Sequence, residues 1–213
     1  MQIETLSLGP IGTNCYIISK NDHCLIVDPG GDAHLINEYL AEQGVKPEAI
    51  LLTHAHYDHI GAVDELRKQY QLDVYLHERE QEWLENPQLN RSFYAFGASG
   101  AITTTPPEKI VEPGTLSIGP FTMKVVHTPG HSPGSVTYIF DEERFVVSGD
   151  VLFYQGIGRT DLPEGSIEQL ANSIAHELYV LPDDFQVYPG HGPSTTIGDE
   201  KITNPFTLQF YRE

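Results

Sequence analysis

The chain has 213 residues, 39% of them apolar, and 30 acidic residues against 12 basic, for a formal net charge of −18. That length can bury a sizeable core, and the apolar share excludes wholesale disorder. The acidic surface repels phosphate backbones and anionic bilayers at long range, so nucleic acid and membrane surfaces are excluded as general partners. The two cysteines, Cys15 and Cys24, are too few for a disulfide framework. Each sits in an apolar run and is expected to pack as a buried, inert thiol. "MQIETLSLGP" has no basic start followed by an apolar core, and no apolar stretch approaches about 20 residues. The expectation is a cytoplasmic protein, one domain over residues 1–213, acting on a small molecule.

Short β-rich runs separated by turn residues predict strands at 3–9, 14–19 and 23–28. "DPGGD" breaks the third, and Asp32 is placed to cap a helix with Leu35, Ile36, Tyr39 and Leu40 on one face. A buried strand at 49–52 precedes a helix at 58–70, where Ile60, Val63, Leu66 and Tyr70 recur every three to four residues. A strand at 73–77 and a helix from Glu78 follow. Residues 86–107 form a long loop, expected to serve function. Then come strands at 115–119, 121–128, 135–140 and 144–150, a helix at 166–178 and a strand at 185–190. The alternation is that of an α/β protein with mixed sheets covered by helices.

"LLTHAHYDHIGAVDEL" puts three of the chain's ten histidines and an aspartate between a strand end and a helix start. Loops of that kind are where open α/β sheets place their sites. His54 and His56 lie two apart in an extended segment, so both imidazoles can point to one side. Asp58 and His59 diverge from them at the helix start. The loop can thus offer two ligands to one metal and two to a neighbour. Further donors are expected where other strands end: His131 in "HTPGHSPGS", Asp150 closing "FVVSGD" and His191 in "YPGHGP". Histidine and carboxylate donors with a position left for water suit a catalytic site rather than a structural one.

The order H-x-H-x-D-H, then His, Asp and His, resembles the metallo-β-lactamase-fold metallohydrolases. "TPGHSPGS", "SGDVLF", "GIGRTDLPEGS" and "YPGHGPST" resemble in particular its glyoxalase II-like members, the hydroxyacylglutathione hydrolases. The resemblance runs from "IVDPGG" to "NPF" at 204–206. It implies a four-layer αββα sandwich with two divalent metal ions, zinc first, iron or manganese as alternatives. His54, His56 and His131 would bind one ion, and Asp58, His59 and His191 the other, with Asp150 bridging. Asp28 in "VDPGG" would orient the histidine loop through hydrogen bonds. The glyoxalase II enzymes carry a C-terminal helical extension that contacts glutathione, and this chain is read as lacking it. Arg159 in "GIGRTD" then stands as the basic contact from the core domain.

What the resemblance implies for chemistry is a metal-bridging hydroxide attacking a thioester such as S-D-lactoylglutathione, with Asp58 orienting it. Phe93 and Tyr154 are candidates for the acyl pocket. The alternative is a glutathione persulfide dioxygenase with a single iron held by His54, His131 and Asp150. His23, His34, His77, His127 and His176 lie in ordinary strand or helix patterns and are read as structural.

Overall fold

The computed structural model describes residues 1–209. By its internal packing the chain divides into two compact units, residues 1–111 with 117–121, and residues 112–116 with those from 122 onward.

The first unit is built on a sheet of six strands in sequential order: β1 (Gln2–Leu8), β2 (Thr13–Lys20), β3 (His23–Val27), β4 (Lys46–Leu51), β5 (Asp73–His77) and β6 (Lys109–Val111). The first three pair antiparallel, and β3 through β6 pair parallel. "CLIV" of β3 and "AIL" of β4 are buried throughout, which is why they read as unbroken apolar runs. At the edge, β1 instead exposes Gln2, Glu4, Thr5 and Ser7. Parallel neighbours need crossovers, and α1 (Ala33–Gln43) supplies the first while α2 (Tyr57–Ile60) and α3 (Val63–Tyr70) supply the second. Helix α1 buries Ala33, Ile36 and Leu40 and stops at Gly44, whose left-handed φ of 65° lets its N–H reach the Leu40 carbonyl. Ile17, Ile26, Ile50, Leu66, Leu76 and Trp83 share one core.

Four expectations need correction here. Asp32 does not cap α1: its backbone is left-handed (φ 46°) and its carboxylate accepts instead from the Gly9 N–H at 2.8 Å. The helix expected over 58–70 is two pieces, α2 and α3, parted at Gly61 and Ala62, and residues 78–83 form a 3-10 helix. The loop at 86–107 is not wholly irregular, because α4 (Ser92–Phe96) forms inside it.

Cys15 and Cys24 are buried and unbridged. Burial pushes the Cys24 thiol up to about 12, and pushes the Cys15 thiol well above its ordinary value. The native fold therefore favours the protonated thiols. That contribution is complete below the unfolded pKa of about 8.5 and is lost as pH rises through the folded value. Native protein at pH 8 is expected to resist a thiol reagent, and denatured protein to react at both cysteines. Rapid native labelling would contradict this.

The second sheet comprises β7 (Gly114–Ile118), β8 (Phe121–His127), β9 (Val136–Phe140), β10 (Phe145–Gly149), β13 (Gln186–Pro189) and β14 (Thr195–Thr196), with the hairpin β11 (Leu152–Phe153) and β12 (Gly156–Ile157) beside it in sequence. Its order is β14-β13-β10-β9-β8-β7. Strands β10 and β13 are parallel, whereas β8, β9 and β10 form an antiparallel run. The β10–β13 crossover contains α5 (Ile167–Ser173), which continues as a π-helical turn over Ile174–Leu178. Ser166 caps α5 by accepting from Gln169 N–H, and Thr196 caps α6 (Ile197–Thr203) by accepting from Asp199 N–H. Leu170, Ile174 and Leu178 pack on Val146 and Val187. The buried Glu200 carboxylate accepts from Thr195 Oγ1 (2.6 Å), Gln155 N (2.9 Å) and Asn204 Nδ2 (2.8 Å), tying the small hairpin to α6. No helix among the described residues is long and apolar enough to cross a membrane.

Candidate functional site

Each unit presents its own histidine-rich cluster at the ends of parallel strands. In the first, β3 and β4 run side by side with Val27 opposite Leu51, so the residues leaving their C-terminal ends must meet. Asp28 leaves β3 with φ 51° and donates its N–H to the Leu51 carbonyl at 3.0 Å. Its Oδ1 accepts from Thr53 N (2.7 Å), and its Oδ2 accepts from both Thr53 Oγ1 (2.6 Å) and His59 Nδ1 (2.9 Å).

That arrangement decides the histidine tautomers. A carboxylate only accepts, so the single Thr53 hydroxyl proton goes to Asp28, and Oγ1 is left to accept from His54 Nδ1 at 3.1 Å. His59 donates through Nδ1 to the same carboxylate. In its neutral form each imidazole then carries its lone pair on Nε2. His54 and His59 lie with ring centroids 4.1 Å apart, and His54 and His56 with theirs 4.8 Å apart, edge to face. His59 Nε2 is 3.3 Å from Asp58 Oδ2. A histidine nitrogen and a carboxylate oxygen held that close could share one cation, and the donor set suits a metal ion.

The loop is fixed from behind by residues the sequence did not single out. Glu80, fully buried, accepts from the Ala55 N–H at 2.6 Å, between the first two histidines. Asn90 accepts from the Tyr57 N–H at 2.8 Å, and the Tyr57 ring meets Phe96 of α4 edge-on at 5.2 Å. Thr53 carried a signal, a hydroxyl beside His54 at a strand end. Glu80 and Asn90 carried none, because their partners are distant in sequence.

The second unit places His131, Asp150 and His191 together. Strands β10 and β13 are parallel, with Gly149 opposite Pro189, so Asp150 and His191 emerge at adjacent strand ends. Asp150 Oδ2 lies 3.4 Å from His131 Nε2 and 3.7 Å from His191 Nε2. His131 donates Nδ1–H to the Arg159 carbonyl at 2.9 Å, which again puts the lone pair on Nε2, toward the carboxylate. Gly158 explains "GIGRTD": a Cβ there would sit 1.9 Å from the Asp150 carbonyl oxygen and 3.1 Å from the His131 Cβ. Only a glycine allows the segment to pass close enough to hold His131.

The Arg159 side chain is exposed and held bidentate by Asp161, Nε to Oδ1 at 2.8 Å and Nη2 to Oδ2 at 2.7 Å. This hydrogen-bonded pair draws the Asp161 carboxyl down to about 2. A substrate carboxylate would compete with Asp161 for that guanidinium. Phe93, on α4, and Tyr154, at the tip of the small hairpin, both expose their rings. Of the histidines read as structural, His77 accepts from Arg79 N–H, His127 donates to the Pro133 carbonyl and His23 pairs with Glu48.

Asp28→Asn is expected to weaken metal binding about 10–100-fold with the fold retained, since an amide offers one acceptor oxygen where Asp28 uses two. Competition against a chromogenic chelator checks it. Unchanged affinity would remove Asp28 from any role in orienting the histidines.

A model of the metallo-beta-lactamase superfamily matches residues 8–191. Over 211 residues the chain is 48% identical to "Probable metallo-hydrolase YqgX" of Bacillus subtilis (strain 168), covering 99% of both proteins. It is 35% identical over 208 residues to "Hydroxyacylglutathione hydrolase GloC" of Haemophilus influenzae, covering 97% of this chain and 98% of that one. Among solved structures, BLEG-1 B3 metallo-beta-lactamase superposes with a TM-score of 0.93 at 47% identity, over 97% of this chain and 99% of that one. TTHA1623 in a di-iron-bound form superposes with a TM-score of 0.85 at 38% identity, over 95% of this chain and 99% of that one. Two mixed sheets with flanking helices are the fold held in common.

Proposed function

The chain belongs to the metallo-beta-lactamase superfamily and is a metal-dependent hydrolase by its donor set and relatives, and we propose that it cleaves thioesters of the S-D-lactoylglutathione type at a two-metal centre. His54, His56 and His131 would hold one cation, Asp58, His59 and His191 the other, and Asp150 would touch both. The observation that carries the reading is the set of Nδ1 contacts: His54, His59 and His131 each engage Nδ1 with an oxygen of the protein, so that in the neutral imidazole Nε2 is the atom a cation would use.

A bound pair of divalent ions supplies Lewis acidity for the scissile carbonyl and lowers the pKa of a shared water toward about 7. The protein's part is orientation and proton custody. The Thr53–Asp28 relay and the Arg159 carbonyl hold the imidazoles in place. The buried Asp58 carboxylate would take the attacking water's proton. A thiolate is a good leaving group, so no strong general acid is required on that side. Phe93 and Tyr154 offer apolar surface to the acyl and thiol portions, and Arg159 offers a charge for a carboxylate, in competition with Asp161.

Support for a glutathione thioester comes from GloC, so named, at 35% identity over nearly the full length. A second reading, β-lactam hydrolysis, is favoured by the higher identity to BLEG-1. The decisive experiment pairs metal analysis of fresh protein with three assays: S-D-lactoylglutathione cleavage, cleavage of a chromogenic cephalosporin, and oxygen uptake on glutathione persulfide. Two metals per chain with thioester cleavage the fastest is the expected result. A faster cephalosporin reaction would replace the substrate. One iron per chain with oxygen uptake would replace the reaction itself.

A further inference from the structure

Thr13 opens β2 and is fully buried, in a stretch ("GPIGTNCY") that nothing above connects to the histidine loop. Its hydroxyl lies 3.0 Å from Asp58 Oδ2, across 45 residues of sequence. This is the oxygen that faces His59 Nε2 at 3.3 Å. A carboxylate can only accept, so Thr13 donates its one proton to it. Asp58 sits on α2, a single turn of helix. The backbone beneath is rigid, since Gly30 packs against the Asp58 carbonyl and its would-be Cβ would also meet Thr13 Cβ at 3.4 Å.

We propose that Thr13 is a positioning residue for Asp58, locking the carboxylate's rotation so that Oδ2 stays beside His59 Nε2, as a cation held by that pair requires. This rests on the two-metal reading. A buried hydroxyl and a buried carboxylate oxygen satisfy one another here, and removing the donor leaves the acceptor to turn toward other partners. The consequence is selective: Asp58 and His59 would belong to one ion's ligand set, and the Thr13 hydroxyl meets that set at Asp58, while His54 and His56 would belong to the other's.

The test compares Thr13→Val, equal in shape but without the donor, with Thr13→Ser, which keeps it. In zinc titrations of the apoprotein, Thr13→Val is expected to weaken one of two binding steps by about 10–100-fold and leave the other unchanged. With zinc saturating, kcat is expected to fall while KM holds, and Thr13→Ser is expected to restore both. Equal weakening of the two steps together with a lowered Tm would overturn the proposal in favour of a merely structural threonine, as would unchanged binding and turnover. Crystal structures of the metal-free variants give a second readout. Asp58 should rotate away from His59 in Thr13→Val only, and an unmoved carboxylate overturns the proposal. If wild-type protein takes up a single zinc, the two-metal reading fails, and the Asp58 rotamer still decides the role of Thr13.

Discussion

Replacing Asp58 by alanine is expected to lower kcat by about 10³-fold and to reduce bound metal at the same time. In the proposed reading Asp58 would combine two duties on one buried side chain: a ligand oxygen beside His59 Nε2, at 3.3 Å, and a carboxylate able to hold a proton. Alanine removes both and strands the buried Thr13 hydroxyl, whose acceptor lies at 3.0 Å in the native protein. Asp58→Asn separates the duties. It keeps an oxygen for Thr13 or for a metal ion but holds no proton at neutral pH, so more metal should survive than rate. Elemental analysis and steady-state kinetics on the same preparations provide the check. Full metal occupancy with normal turnover in Asp58→Ala would dismiss this residue from the site.

Gly30→Ala should be the most damaging single methyl group in the first unit. The added Cβ would lie 1.8 Å from the Asp58 carbonyl oxygen and 2.9 Å from its carbon, both backbone atoms that cannot swing aside. The φ of Gly30 is not positive, so the cost is purely steric. Overpacking of this kind costs about 3 kcal/mol, and because the obstacle is the backbone of a proposed ligand, metal binding should fall with it. For a chain of this size that corresponds to a Tm lower by roughly 10 °C. Gly44→Ala is the control: nothing lies within 4 Å of its Cβ, and only the left-handed φ of 65° is penalised, at about 1 kcal/mol. Calorimetry of the two variants decides the matter. Equal melting points would mean that the Gly30 contact relaxes, and that close approach is not what the glycine serves.

Both expectations depend on contacts of different legibility. The clustering of His54, His56, Asp58 and His59 is a local fact, written in six consecutive residues at a strand end. So is the alternation of strands and helices from β1 to β5, because strands buried on both faces read as apolar runs, whereas the three-residue β6 (Lys109–Val111) is too short to leave such a pattern. The stops were less clear. Helix α2 stops at Ile60, just before Ala62 gives its N–H to the Pro29 carbonyl at 2.9 Å and Gly61 passes close to Gly30, contacts that periodicity does not encode. Asp32 looked like a cap by residue type, and was claimed instead by a backbone N–H 23 residues earlier.

What the sequence determined by itself is the inventory: the donors, their chemical types, and the strand ends that carry them, since these follow from neighbours along the chain. What only the tertiary structure decided is which ring nitrogen of His54, His59 and His131 meets an oxygen of the protein and which way the Asp28 and Asp58 carboxylates face. Those depend on Thr53 meeting Asp28, Thr13 meeting Asp58 and His131 meeting the Arg159 carbonyl. A hydrogen bond is set by distance and direction in space, and separations of 25, 45 and 28 residues leave no periodic trace of it.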